Sequence, residues 1–338
     1  MPYIKIQLLV LLPIWLFAQP TDPPFQVARI VTHEYMDAVM GAEWRQSIAA
    51  DLIGPDRVNS YSSEKPKGNP KIGVVFHVLS SSGESAITEE QLSSQLTALN
   101  RDFDSYRNNY RHPAVEKEKF WQRAGHAHIE FGMAREVLTG SGTGLLDNSF
   151  RTIEQSGWEV GNAMKSSESG GVDPIAPDRV VNVWVVDLPE DIAGYAQMPG
   201  GPIATDGIVI DRDYVGIGGT ALAPYDEGKT LTHLMGNYLG IYSLWGVDYC
   251  ADDGAVDTPV HNAPNYGCPE YKNITTCGQN KGRVEMTMNF MDSTNDACRN
   301  MFTKGQILRM YKTLSEEGAR HGILIYKRDK KQGDELQE

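Results

Sequence analysis

The nine residues VVNVWVVDL at 180–188 constrain the fold more than any other stretch of the chain. A strand that is apolar on both faces cannot stand at a surface; it needs neighbours on each side and cover above and below. KIGVVFHVLS at 71–80 has a similar β-rich character and leads into ITEEQLSSQLTALNRDFDSYR, a helical pattern with Thr88 as N-cap and Gln91 completing a capping box. A strand followed by a helix, with a buried strand to come, predicts a mixed α/β (α+β) fold. HAHIEFGMAREV at 126–137 alternates as a strand, while GYAQMPGG at 194–201 and DGIVIDRDYVG at 206–216 read as strands with glycine breaks. YDEGKTLTHLMGNYLGIYSLWG at 225–246 predicts a helix capped by Asp226 and stopped at Gly240, a position suited to the left-handed terminus. The last predicted helix runs from Lys304 to about Glu317.

The start of the chain has a different character. Lys5 precedes an apolar run from Ile6 to Phe17 that is too short to cross a bilayer, so residues 1–18 are expected to be a signal peptide cleaved after Ala18. No comparable run follows, which predicts a secreted or periplasmic protein with no membrane association after cleavage. Residues 19–66 form an N-terminal extension with one helix from about Glu34 to Leu52, joined through SSEKPKGNP to a main domain at 67–338. The tail KRDKKQGDELQE reads as a solvated end. A formal net charge of −13 without a stripe of Lys or Arg excludes duplex nucleic acid as a partner.

All four cysteines, Cys250, Cys268, Cys277 and Cys298, fall in one stretch. Behind an export signal they predict two disulfides, with three pairings open; a thiolate zinc site is disfavoured because no C-x-x-C pair is present.

The segment from Thr232 to Ser243 has the frame H-E-x-x-H-x-x-G-x-x-H, in which two histidines on one helix face and a third beyond a glycine turn bind zinc, and the glutamate serves as general base. His233 and Gly240 are present. Leu234 stands at the glutamate position, Asn237 and Ser243 at the other two ligand positions. One histidine and one glycine on a helix are weak by themselves. The rest of the chain adds VVFHVL, HIEFGMA, VVNVWVVDLP, GYAQMPGG, DGIVI, DDGAVDTP, APNYGCP, TTCG, MNFMDSTNDAC and MFTKGQILRM. Across Lys71 to Met310 these segments resemble the pappalysin family of secreted metzincin zinc metalloproteases.

That resemblance implies a twisted five-stranded sheet with a backing helix and an active-site helix (67–240), then a loop-rich, disulfide-bonded C-terminal subdomain (241–338). It implies Met291 as the methionine of the turn under the metal and Ser293 at the position where relatives can carry an oxyanion-stabilising tyrosine. It further implies the pairings Cys250–Cys277 and Cys268–Cys298. ARIVT at 28–32 resembles a stretch whose cysteine can cap the zinc in latent relatives; Ile30 and Val31 occupy its Cys-Gly positions.

Other metal candidates are fewer. Asp252, Asp253, Asp257 and Thr258 in DDGAVDTP offer the hard oxygen donors that calcium takes, in a region where relatives bind it. His126 and His128, two apart on a strand-like segment, are expected to project to one face, but they lack evident partners for a metal; His261 on a loop is weaker still. Asn273-Ile-Thr275 is a glycosylation sequon. The expected function is that of a secreted pappalysin-like pseudoprotease with zinc absent or weakly held, binding a peptide or protein in a cleft whose edge strand lies in residues 191–210. The alternative is an active zinc metalloendopeptidase using non-standard ligands.

Overall fold

The computed structural model describes residues 28–53, 70–81, 87–104, 117–137, 147–153, 157–271 and 273–325. The expected signal peptide, most of the linker and the charged tail lie outside the described residues. β1 (Arg29–Ile30) runs into α1 (Thr32–Ile53), a helix interrupted at Gly41, and β2 (Lys71–Ser81) precedes α2 (Glu89–Phe103). β3 (Glu130–Met133), β4 (Ser149–Ile153), β5 (Val181–Val186), β6 (Ile192–Ala196) and β7 (Ile208–Asp211) follow. α3 (Lys229–Tyr238), α4 (Lys304–Leu314) and β8 (Leu324–Ile325) complete the set.

The sheet order is β1-β6-β7-β5-β2-β3, with β4 and β8 also paired to β2. Val74 of β2 lies between Val181 of β5 and Met133 of β3, and further along the same strand His77 lies between Trp184 and Ser149. β3 and β4 therefore share one flank of β2, so the sheet is five strand positions wide before β1 joins it. β6 runs antiparallel to β7, whereas β5 pairs in parallel with both its neighbours. This is the metzincin-like α/β fold expected, carrying an extra strand from the extension.

VVNVWVVDL does what its composition requires: all six residues of β5 are buried. Val181, Val183 and Val185 join a cluster with Leu92 and Leu99 of α2, Leu231, Leu234 and Met235 of α3, and Ile307 and Met310 of α4. This cluster crosses Gly240 and ties the C-terminal part to the sheet. Trp184 and Val186, on the opposite face, join Tyr195 and Val209 with Val31, Tyr35, Met36 and Trp44 of the extension. Each of these large side chains contributes on the order of 1.5–3 kcal/mol by leaving water.

Several local expectations are corrected. Asp226 does not cap α3; Gly228 occupies the N-cap, and Asp296 Oδ2 accepts from Glu227 N (2.9 Å) and Lys229 N (3.1 Å). A buried helix start can be satisfied by a carboxylate distant in sequence, which a local pattern cannot reveal. Thr88 does cap α2, but Gln91 does not close the box: its Nε2 donates instead to Val215 O and Thr220 Oγ1. A complete capping box occurs at Thr303 and Gln306 on α4, which ends at Leu314, three residues short of Glu317. Only Glu130–Met133 of HAHIEFGMAREV is strand; His126 and His128 precede it in irregular chain, His128 at φ 49°, so strand alternation does not govern them. Residues 191–210 contain β6 and β7, and β6 is not the edge because β1 pairs outside it.

Candidate functional site

α3 ends in a close turn. Gly240 adopts φ 88°, its N–H reaches Asn237 O, and Ile241 N reaches Gly236 O, the double closure of a Schellman motif. The chain leaves the helix there and brings Ser243 back beside His233. Met291 is fully buried beneath the helix. A Cβ on Gly236 would come within 2.5 Å of Met291 Sδ, so helix and turn approach as closely as glycine permits. From the other side, Thr232 Oγ1 donates to Asp102 Oδ2 (2.8 Å), fixing α3 against α2.

His233 has no exposed surface, and its Nδ1 lies 3.2 Å from Asp292 O. That carbonyl contact leaves Nε2 pointing into the site, the orientation that a carbonyl bonded to the other ring nitrogen gives zinc-ligating imidazoles. Here Ser243 Oγ faces Nε2 at 3.3 Å. Burial chiefly, with the Arg299 guanidinium nearby, pushes the imidazole down to about 3, so it is neutral: Nδ1–H donates to the carbonyl and the Ser243 hydroxyl donates to Nε2. Asn237 is also fully buried and engaged on both ends. Its Nδ2 donates to Ile241 O (2.9 Å), and its Oδ1 accepts from Thr32 Oγ1 (2.9 Å) in the extension. Leu234 is part of the main apolar cluster and reaches Gly194 of β6, where a Cβ would meet Leu234 Cδ1 at 2.8 Å.

Ser293 follows Asp292, whose Oδ1 accepts the Ser293 N–H, and its carbonyl faces the Tyr225 hydroxyl. Ser243 and Ser293 line a cavity of about 210 Å³ whose outer wall includes Arg29, Ile30, Thr32 and His33. ARIVT thus lies over the site, as its sequence resemblance implied. Sequence reasoning did not single out Thr32, Asp296 or Arg299. Arg299 is 1% exposed, pairs with Asp296 and donates to Asp292 O, the carbonyl that also holds His233. Thr32 and Asp296 meet partners far away in the chain, whereas Arg299 meets Asp292 and Asp296 close by, and only the ARIVT match offered a signal for Thr32.

The remaining candidates separate. Asp253 Oδ1 accepts from Thr258 Oγ1 (2.7 Å) and Ala255 N (3.0 Å), and burial pushes its carboxyl up to about 7. Asp252 accepts from Gly254 N. Asp257 turns away to the start of α4, accepting from Thr303 Oγ1 (2.7 Å) and Gly305 N (2.9 Å). His126 Nδ1 bonds Asp104 O, and its ring centre lies 5.8 Å from that of His128. His261 is buried beside Asp292 and Glu285, with Nε2 accepting from Met286 N (2.9 Å). Asn273 of the sequon turns its Nδ2 inward to Asn265 Oδ1 and Glu285 Oε2. The disulfides are Cys250–Cys277 and Cys268–Cys298, with Cα separations of 5.3 and 5.7 Å.

Comparison with known proteins agrees with this fold. Residues 176–315 match the family described as pregnancy-associated plasma protein-A. An extracellular metalloprotease of Arthroderma benhamiae is 31% identical over 271 residues, 75% of each chain. Tannerella forsythia mature mirolysin in complex with a cleaved peptide superposes with a TM-score of 0.69 at 34% identity, over 77% of this chain and 97% of that one. A promirolysin mutant from the same organism superposes at 0.73 and 31% identity, over 89% of this chain and 97% of that one. The chain belongs to the pappalysin family of metzincin metalloproteases.

Proposed function

We propose that this chain is a secreted pseudoprotease: a pappalysin scaffold whose zinc site has been dismantled and which acts by binding a peptide or protein. The carrying observation is the hydrogen bonding around His233 and Asn237. Zinc binds thiolate, imidazole and carboxylate, and the donors at the three ligand positions are one imidazole, one amide and one hydroxyl. Neutral oxygens of the last two kinds compete poorly with water for this ion. His233 Nε2 already faces Ser243, and both ends of the Asn237 amide are satisfied within the protein. The donor set does not fit zinc.

The other machinery is missing in the same way. Leu234 accepts no proton, and a general base is typically worth about 10²–10⁴ in rate. Ser293 has no phenol to meet an oxyanion. Secretion is supported by the apolar leader, the two disulfides and the extracellular relatives. The correspondence of residues 19–66 to a pro-segment is supported by coverage that rises from 77% against the mature relative to 89% against the pro-form. Calcium remains the cation suited to the DDGAVDTP loop, through Asp252, Asp253 and Thr258; Asp253 Oδ2 is buried with no hydrogen-bond partner, and a cation would favour its ionised form. A calcium chelator should then lower the melting temperature, and an unchanged transition would show that the loop holds no calcium.

Metal analysis of the purified protein with a peptide-cleavage assay tests the main reading. Substoichiometric zinc and no chelator-sensitive cleavage are expected. Stoichiometric zinc with chelator-sensitive cleavage would instead establish an active metalloendopeptidase with non-standard ligands.

A further inference from the structure

The extension is built into the body of the protein. Tyr35 is 1% and Met36 0% exposed, and with Val31 and Trp44 they complete the apolar cluster on the second face of the sheet. The Tyr35 hydroxyl lies 2.8 Å from Asn162 Oδ1 and accepts from Lys165 Nζ at 3.1 Å. Lys165 is itself 2% exposed, with its other bond to Thr205 O (2.9 Å) and its Nζ over the rings of Tyr35, Trp184 and Tyr195 at 4.8, 5.6 and 5.8 Å. Taking α1 away would uncover this lysine together with Trp184 and Tyr195.

A second set of bonds holds the strand. Arg29 N donates to Asp191 O (2.9 Å), Val31 N donates to Gly194 O (3.0 Å), and the Arg29 side chain pairs with Asp191 (2.8 Å). Thr32 Oγ1 donates to Asn237 Oδ1 and accepts from Ala196 N (3.2 Å), joining the extension to both α3 and β6. A latency segment that must leave needs a contact that processing can undo. These contacts are apolar packing and buried hydrogen bonds, of the kind that hold a core.

We propose that residues 28–44 are a permanent part of the mature protein, and that Asn237 serves to hold Thr32 at a position where relatives ligate metal. The role given to Asn237 rests on the pseudoprotease reading; retention of the extension does not. The outer edge of β6 is therefore occupied by the protein's own chain, which also forms one wall of the Ser243–Ser293 cavity. A partner binds elsewhere on the surface, without adding a strand at this edge.

The test uses the secreted full-length chain with a site-specific protease sequence introduced within residues 54–69, cut under native conditions and followed by size exclusion and mass spectrometry. The extension fragment is expected to co-elute with the body, and the N-terminus of the uncut secreted protein is expected to lie before residue 28. Asn237→Ala should speed fragment release roughly fivefold, the worth of one buried hydrogen bond; Thr32→Val should speed it more, because it also loses the bond from Ala196 N, and the double variant should add little to Thr32→Val alone. A fragment that departs to leave a folded, monodisperse body overturns the proposal, as does a secreted protein that begins beyond residue 44. Zinc content measured on the same intact protein reports separately on the pseudoprotease reading: a retained fragment with stoichiometric zinc overturns that reading and leaves retention standing.

Discussion

Lys165 gives the extension a measurable pH signature. Burial pushes its ammonium from 10.5 down to about 7, opposed by Asp206 and reinforced by Arg320. Between those two values the unfolded chain carries a proton that the folded chain has shed, so stability from this group rises with pH across the window and is lost as pH falls toward 7. At about 1.4 kcal/mol per unit, moving from pH 7 to pH 9 adds roughly 2 kcal/mol, since the group is still half protonated in the folded protein at the lower value. Tyr35 and Tyr195, which also face it, are held above their ordinary range by burial and do not titrate in this window. Lys165→Met removes the group, and urea unfolding of both proteins at pH 7, 8 and 9 isolates it, because Asp211 and Asp253, whose carboxyls burial pushes up to about 7, are common to the two. The wild type should gain about 2 kcal/mol on the variant over this range. A difference that stays within about 0.5 kcal/mol would show that the folded protein does not depress this lysine as described.

Three further outcomes are expected. Leu234→Glu, Asn237→His and Ser243→His together should bind zinc stoichiometrically by elemental analysis, whereas each alone should bind little and cost roughly 1–3 kcal/mol through a buried carboxylate or a lost hydrogen bond; Ser293→Tyr should then add to peptide-cleavage rate, and a folded triple variant without zinc refutes the placement of these positions. Reducing the two disulfides, each typically worth about 2–4 kcal/mol, should lower the melting temperature far more than a zinc chelator does, and equal shifts in a thermal scan would contradict this. Asp296→Ala should cost on the order of 3–5 kcal/mol in urea unfolding, because it strips the start of α3 and leaves Arg299 buried without its carboxylate; a loss below about 1 kcal/mol refutes that role.

The strands and helices of the body were legible because their information is local. The apolar run of β5 required burial on two faces, Thr88 marked the start of α2, and Gly240 marked the end of α3 through the one conformation that glycine adopts freely. The resemblance carried the disulfide pairing, which spacing alone left open. The start of α3 was misread at Asp226 because its capping carboxylate, Asp296, comes from about seventy residues away. Gln91 was misassigned for a related reason: a local capping bond lost to partners at Val215 and Thr220.

For the candidate site, sequence alone determined which side chains stand at 233, 234, 237, 243 and 293, and hence which donors are available to a metal. What those side chains do was decided by tertiary structure. Asn237 meets Thr32 across 205 positions of chain, Ser243 turns back onto His233, and the strand expected at the sheet edge is covered by Arg29 and Ile30. The physical reason is that residue type and periodicity report the intrinsic preferences of neighbours along the chain. A buried hydrogen bond or an occupied sheet edge depends instead on which distant groups the whole fold brings within about 3 Å of each other.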